Sequence, residues 1–313
     1  MPHPEEEFVR QGVREYIASV FGAPPRSLYP GKDPLWFWRG PTPGRDTFSY
    51  VPPPDVFERI AREIGIERGH TVAHPYALDE SYKKLLERQG AVVHSFDLSA
   101  ESAIRSGSKI ADAERLVDYT KRKYDHFFAF EPTSLFLATS GPVKGILALA
   151  SALNIADRVH IAYSYNPRSS EHHMDFEALF RWLANQFGGR VEKRTYPAGS
   201  RELFAVTTIS IPDEAKRKQL LELARLLHKT VVQGLPADYT RRVILAGKIS
   251  DEKAETHSAP LEMVEKHADR VVQRMKRTRW GDKTLYDVFK DLLRAREEVR
   301  KEYSPGKPKK PIF

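Results

Sequence analysis

The feature that most limits the fold is an alternation of helix-like and strand-like segments between residues 55 and 212. Amphipathic stretches such as "DVFERIAREIGI" have apolar residues spaced near 3.6 and predict helices. Between them stand short apolar stretches that predict strands, such as "HTVAH", "AVVHSFDLS", "DHFFAFEP" and "DRVHIAYSYNP". Strands that alternate with helices of ten or more residues imply crossover connections. The segment therefore predicts a Rossmann-like, mostly parallel sheet with helices on both faces.

The patterns on either side of this segment differ from it. Residues 1–54 contain one helix-like stretch and then an irregular segment rich in proline, glycine and aromatic residues. Residues 213–313 are almost entirely helix-like and basic, and they end in a tail that includes "KPKK". We therefore expect three parts: an N-terminal segment 1–54, a ligand-binding domain 55–212, and a basic helical domain 213–313.

Composition excludes several classes of chemistry. The chain has no cysteine, which excludes disulfides, thiolate catalysis and Cys-ligated zinc. It contains no apolar run of about eighteen residues, so no membrane partner is expected. The acidic N-terminal stretch lacks the apolar core of a secretory signal, and we expect a cytoplasmic protein. The charge-rich, cysteine-free composition also fits a thermophilic origin.

Positive charge is concentrated in the last third of the chain. Residues 211–313 hold 24 basic and 16 acidic side chains, which accounts for the whole net charge of +8. A basic surface attracts phosphates and favours a nucleic-acid partner. A lysine-rich helical surface in water would give the same composition, and both interpretations stay open.

A polar island interrupts two apolar runs in "LFLATSGPVKGILALASALN", residues 135–154. The first run predicts a strand and the second a buried helix, so the turn between them would lie at the carboxyl edge of the sheet, where such folds bind ligands. Thr139, Ser140, Gly141 and Lys144 then predict an anion site at a helix start. The alternative is a helix cap at Ser140 with Lys144 in solvent. The spacing matches neither the Walker A loop nor G-x-G-x-x-G, so no cofactor is predicted.

Other polar residues follow predicted strands at the same edge. Asn166 and Arg168 come after "RVHIAYSY", while His74 and Tyr76 end or follow "HTVAH". We expect these four to contact a phosphate or a base. The nearby cluster "EHHMD", residues 171–175, could bind a metal through its histidines and carboxylates, but capping of a helix explains it more simply. No metal is predicted, and His126 is interpreted as structural.

The stretch "RVVQRMKRTRW" predicts a nucleic-acid site. Arg274, Lys276, Arg277 and Arg279 are too many to share one narrow helix face, and Trp280 could stack on an unpaired base. Phosphate contacts of this kind carry no sequence preference, so RNA or DNA is the expected partner. The alternative is that Trp280 closes a helical core and the cations pair with nearby carboxylates.

The segment "LATSGPVKGILALASAL" followed by "RVHIAYSY" resembles the CRISPR-associated Rossmann fold (CARF) family. The helix-like "AERLVDYTKRKYDHFFAF" is similar to that family's helix before the motif strand. Pro142 departs from the pattern, since it replaces a usual glycine or hydroxyl residue. The resemblance implies a homodimeric sensor of a nucleotide second messenger, a cyclic oligoadenylate, in antiviral defence, with a C-terminal effector.

The sequence-based prediction is therefore a CARF-like sensor of a nucleotide-type ligand, joined to a basic region that contacts nucleic acid. Whether the ligand is sensed or cleaved stays open. One alternative is an enzyme that processes nucleotides or sugar phosphates and uses Asp97 or Glu131 as a base. The other is a scaffold subunit of a nucleoprotein assembly.

Overall fold

A seven-stranded sheet runs through the middle of the protein. The computed structural model describes residues 4–21, 54–75, 81–97, 103–104, 106–130, 141–165, 171–197, 203–234 and 261–302. The strands of the sheet are β1 Thr71–Pro75, β2 Val92–Asp97, β3 Lys109–Ile110, β4 Tyr124–Phe130, β5 Ala156–Tyr165, β6 Arg190–Pro197 and β7 Leu203–Ser210. A separate small hairpin pairs β8 Arg279–Trp280 with β9 Lys283–Thr284.

The strand order is β3-β2-β1-β4-β5-β7-β6. All neighbouring pairs from β3 to β5 are parallel, and β7 runs antiparallel to both β5 and β6. Strands β6 and β7 therefore form an antiparallel pair at the edge of the sheet. The predicted Rossmann-like, mostly parallel sheet with helices on both faces is confirmed.

Nine helices surround this sheet in the described part of the chain. They are α1 Pro4–Phe21, α2 Pro54–Glu63, α3 Ser81–Arg88, α4 Leu116–Tyr119, α5 Gly141–Ile155, α6 Glu171–Phe187, α7 Glu214–Val232, α8 Leu261–Arg277 and α9 Leu285–Glu302. Apolar residues of α2 and α3 pack on one face of the sheet. The other helices supply the apolar cluster on the opposite face.

The chain reverses its direction of travel between β1 and β4. From β1 it moves outward through α3 to β2 and β3, and it then returns to the other side of β1 as β4 and continues through α5 to β5. Right-handed crossovers in opposite directions place α3 and α5 on opposite faces. The carboxyl ends of β1 and β4 therefore border a crevice, which is where open α/β sheets bind ligands.

Helix α5 is buried along almost its whole length. Every residue from 145 to 155 is buried, and Gly145 lies so close to α6 that an added Cβ would come within 2.7 Å of Leu179. A helix that is apolar on all sides is a core helix. The predicted buried helix is confirmed, and it connects the sheet to the helices outside it.

The apolar core crosses residue 212, where the sequence predicts a domain boundary. Val271 and Met275 of α8 and Phe289 of α9 belong to the same buried cluster as α5 and the sheet. Helix α9 packs on α6, and α7 packs on α5. The predicted division into 55–212 and 213–313 stays a prediction, but this packing gives a physical reason why the first part would not fold alone.

Charged residues of α1 pair with residues of opposite charge on the C-terminal helices. The ion pairs are Glu5 with Lys290 and Arg294, Glu6 with Lys276, Asp269 with Arg10, and Glu15 with Arg296. Several cations of the basic region are therefore engaged within the protein. Among the described residues, no helix is both long and apolar enough to cross a bilayer.

We expect a chain that ends at residue 212 to be insoluble or to melt without cooperativity. The loss of α7, α8 and α9 would expose the apolar surfaces of α1, α5 and α6 to water. The measurement is soluble yield and thermal unfolding, with a chain ending at residue 302 as the matched control. A soluble 1–212 chain with one cooperative transition would instead establish an independent front domain.

We expect Glu15→Ala to lower the free energy of unfolding by about 3 kcal/mol. Its carboxylate lies 2.6 Å from the guanidinium of Arg296, which is 5% exposed, and the loss would take a charged partner away from a buried cation. Glu5→Ala is the control, because the more exposed pair of Glu5 with Arg294 should contribute less than about 1 kcal/mol. Equal effects of the two substitutions in urea unfolding would contradict this assignment.

Candidate functional site at the carboxyl edge of the sheet

Three strands end next to one another at the carboxyl edge. β1 ends at Pro75, β4 at Phe130 and β2 at Asp97, and Pro75 is paired in register with Phe96. Asp97 therefore extends one position beyond the last paired residue of β1. This places a half-exposed carboxylate residue beside the crevice between β1 and β4.

Asp97 is fixed through its backbone. Its carbonyl oxygen accepts a hydrogen bond of 2.9 Å from the N–H of Ala111, and its neighbour Phe96 is paired with Lys109 of β3. The outer strand thus holds the end of β2 in place. A carboxylate held on a strand end can accept hydrogen bonds from two adjacent donors of a ligand.

His74, a predicted ligand residue, is a buried residue of β1. Its Nδ1–H donates a hydrogen bond of 2.9 Å to the carbonyl oxygen of Phe128, and the two rings stack with centroids 6.2 Å apart. His74 is 1% exposed. These contacts tie β1 to β4 close to the crevice, and a ligand contact by His74 stays a prediction.

The predicted anion turn lies partly within the described residues. Helix α5 begins at Gly141, so the helix start expected after the turn is present, and Lys144 lies in the first turn of α5. The predicted ligand residues Thr139, Ser140, Tyr76, Asn166 and Arg168 lie outside the described residues, and so does the side chain of Lys144. The binding role of this set stays a prediction.

The cluster at 171–175 occupies the start of α6, and its side chains are outside the described set. Where side chains are described, no group of three or more histidine, aspartate or glutamate residues could hold a metal ion.

The structure gives most of the predicted nucleic-acid residues contacts within the protein. Arg274 donates to the carbonyl oxygens of Thr230 and Gln233, at 3.0 and 2.6 Å, and so satisfies the C-terminal end of α7. Lys276 lies 2.7 Å from the carboxylate of Glu6.

The remaining members of that set lie around the β8–β9 hairpin. Arg279 donates to the carbonyl oxygen of Asp282 at 2.9 Å, while Arg277 is exposed. Trp280 packs against Phe187 with ring centroids 6.0 Å apart, and it lines a cavity of about 200 Å³. The contacts match the alternative in which Trp280 closes the helical core, and RNA or DNA binding by this region stays a prediction.

A row of histidines crosses the sheet and was not predicted as a unit. His70 Nδ1 lies 3.1 Å from His126 Nε2, and His126 Nδ1 lies 2.9 Å from His160 Nε2. His160 Nδ1 in turn lies 2.8 Å from the hydroxyl oxygen of Thr208. The row joins the start of β1 to β4, β5 and β7 through side-chain hydrogen bonds. The interpretation of His126 as structural agrees with these contacts.

Burial keeps His126 and His160 neutral near neutral pH, because it lowers the pKa of each. Desolvation, with repulsion from His70 and Arg158, lowers the pKa of His126 to about 4. Desolvation also lowers the pKa of the fully buried His160 well below its usual value. A neutral imidazole has one donor and one acceptor nitrogen, which is what a continuous chain of such bonds requires. The sequence signal was three histidines in three strand-like stretches, but only the register shows that they meet.

Comparison with known proteins does not assign a family. No family model matches the chain, and no curated protein matches it. The structure is similar to the magnesium protoporphyrin IX methyltransferase of Synechocystis PCC 6803 with bound SAM, at 13% identity and a TM-score of 0.36 over 50% of this chain and 76% of the other. A SAM-dependent methyltransferase from Aquifex aeolicus is also similar, at 16% identity and a TM-score of 0.35 over 50% of this chain and 89% of the other.

A putative RNA methyltransferase from Pyrococcus horikoshii gives 14% identity and a TM-score of 0.36 over 63% of this chain and 98% of the other. Likenesses of this size carry no argument about function. The Rossmann-like fold rests on the strand order and crossovers of this chain itself.

The histidine row predicts acid sensitivity. The pKa values of His126 and His160 lie below the unfolded value of about 6.5, so the unfolded chain binds more protons as pH falls from about 6.5 to 4. Stability should therefore be full above pH 6.5 and fall through that window, by about 3 kcal/mol for His126 at its lower end.

The measurement is the free energy of unfolding from urea titrations between pH 7.5 and 4. His126→Gln should flatten the pH dependence, because glutamine does not titrate. His94→Gln serves as the control. His94 is half-buried, and burial and then the charge of Arg122 lower its pKa. Its substitution should flatten the pH dependence of stability less than His126→Gln does. Identical pH profiles of wild type and His126→Gln would contradict the prediction.

Proposed function

We propose that the carboxyl edge at the β1–β4 crevice binds a nucleoside-type ligand and that Asp97 accepts hydrogen bonds from its ribose hydroxyls. The observation that carries the proposal is the position of Asp97, at the end of the strand beside β1 and next to the point where the chain reverses direction. In Rossmann-like sheets, an acidic residue about 20 residues beyond the end of the first strand is placed to bind a ribose hydroxyl. Asp97 follows Pro75 at that spacing.

The chemistry of a carboxylate supports this role over that of a base. Its two oxygens, each able to accept more than one hydrogen bond, match the two hydroxyls of a ribose 2′,3′-diol, and charged hydrogen bonds of this kind are the stronger ones. The pairing of β2 with β1 and β3 holds this residue at the edge, so that little freedom is lost on binding.

The sequence after β1 narrows the ligand class. Residues 76–80 read "YALDE" and contain no glycine, whereas close approach of a backbone turn to a diphosphate needs glycines. This favours a nucleoside whose 5′ substituent does not place a diphosphate against that turn. S-adenosylmethionine, a nucleoside with a sulfonium group at its 5′ carbon, is one compound of this chemistry and belongs in the ligand panel on that ground.

A cyclic oligoadenylate sensor is the second candidate. Helix α5 begins at Gly141 directly after the polar turn, and a helix start offers free N–H groups to a phosphate. The 3′,5′ linkages of a cyclic oligoadenylate leave only the 2′-hydroxyl of each ribose free, so this ligand cannot present a 2′,3′-diol to Asp97. The homodimer, the nucleic-acid partner and the antiviral role depend on this candidate and stay predictions.

The test is calorimetric titration with adenosine, S-adenosylmethionine, 3′-deoxyadenosine and cyclic tetra-adenylate. Asp97→Asn should lower the affinity for the diol-bearing ligand that binds most tightly by about 10-fold or more, because it removes a charged hydrogen-bond acceptor. Asp157→Asn is the matched control, since Asp157 stands at the opposite, amino end of β5 and pairs with Arg217. 3′-Deoxyadenosine should bind weakly, and equally to wild type and Asp97→Asn.

Two outcomes would contradict the ribose assignment. One is equal affinity of the diol-bearing ligands for wild type and Asp97→Asn. The other is binding of cyclic tetra-adenylate alone, lost in Lys144→Ala and unchanged in Asp97→Asn, which would support the second candidate.

A further inference from the structure

A groove lies on the helical side of the protein, between α4 and α7 and above α5. It encloses about 250 Å³. Its lining residues come from the short turn before α4, from α4, from the middle of α5 and from the second half of α7: Arg115, Val117, Asp118, Leu147, Ser151, Leu221, Arg225, His228 and Lys229. None of these residues lies at the carboxyl edge, so a ligand in this groove would be independent of the proposed function.

The rim of the groove carries more positive than negative charge. Arg115, Arg225 and Lys229 line it together with a single carboxylate, that of Asp118. Arg225 and Lys229 are four residues apart on α7, so they lie on the same side of the helix one turn apart. Like charges at this spacing are mutually unfavourable, and a bound anion would relieve the repulsion.

Asp118 holds both arginines at the rim. Arg115 approaches one of its oxygens through Nε and a terminal nitrogen, each at 3.1 Å, and Arg225 contacts the other oxygen. A guanidinium has five N–H donors, so neither arginine is saturated by this one carboxylate. Lys229 makes no ion pair with a residue in the described parts of the chain and is exposed.

The floor of the groove is apolar apart from one hydroxyl. Leu147, Val117 and Leu221 line it, and Ser151 is fully buried there. The Ser151 oxygen accepts a hydrogen bond of 2.9 Å from the N–H of Val117. The groove thus combines cations at the mouth with an apolar floor.

We propose that this groove binds an organic anion, with the carboxylate, sulfonate or phosphate group at Arg225 and Lys229 and the apolar body over Leu147 and Leu221. Charged hydrogen bonds from arginine match such planar or tetrahedral anions. Apolar area removed from water contributes the second part of the affinity. Asp118 competes with the ligand anion for the same guanidinium of Arg225.

The probe is 1-anilinonaphthalene-8-sulfonate, titrated by fluorescence and by calorimetry. Its uncharged analogue N-phenyl-1-naphthylamine reports the apolar contribution alone. The wild type should bind the sulfonate at least 10-fold more tightly than the uncharged analogue at low salt, and the difference should shrink as salt rises. Equal affinities for the two probes would overturn the proposal.

Variants locate the binding. Arg225→Gln combined with Lys229→Gln should lower the affinity for the sulfonate about 10-fold or more. The affinity for the uncharged analogue should stay unchanged. Lys218→Gln is the matched control on the same helix, because Lys218 pairs with Glu214 and does not line the groove. If the double variant and the control bind the sulfonate as tightly as wild type, the anion site is not here.

A substitution that tightens sulfonate binding distinguishes a specific site from general electrostatic attraction to the protein. Asp118→Asn removes the competing carboxylate and should tighten sulfonate binding by about 3-fold or more. Unchanged affinity in Asp118→Asn would overturn the role given to Arg225.

Discussion

The burial of α5 on all sides is the constraint on which the rest of the structure depends. A surface helix of a Rossmann-like sheet has one face in water, but residues 145 to 155 have none. The helices α1, α4, α6 and α7 all pack against it. Its buried Asn154 is satisfied by neighbours, since it donates to the carbonyl oxygens of Ala150 and Arg217 at 2.8 Å. Without the outer helices, this helix would face water with leucines and alanines.

The sheet could be predicted from the sequence because its signal is local. Alternating apolar stretches separated by helical periodicity define crossovers, and handedness limits the topology to a few arrangements. The merging of α8 and α9 into the same core could not be predicted, because periodicity shows that Val271 and Phe289 need a partner but not which one. The acidic start of α1 and the basic C-terminal helices carried a hint, since opposite charges on distant segments can pair.

The candidate site also has features that the sequence predicts and features that only the three-dimensional structure shows. The strand-like stretch around His74 predicted its position near the carboxyl end of β1, while the binding of a ligand at this edge stays a prediction. That the His74 ring is buried against Phe128 depends on the register between β1 and β4, which no local pattern contains. The histidine row depends on the same register across four strands. Asp97 stood out as acidic in the sequence, and the strand order is what suggests a ribose contact for it.

The pairing of α1 with α8 and α9 has a consequence for synthesis. Arg296 reaches back to Glu15 across 281 positions, and Val9 and Val13 of α1 pack in a core that α9 completes. A ribosome therefore releases the first helix well before the residues of α8 and α9 that pack on it have been made. Contacts so distant in sequence slow folding, because the chain between them must be closed into a loop before they can form.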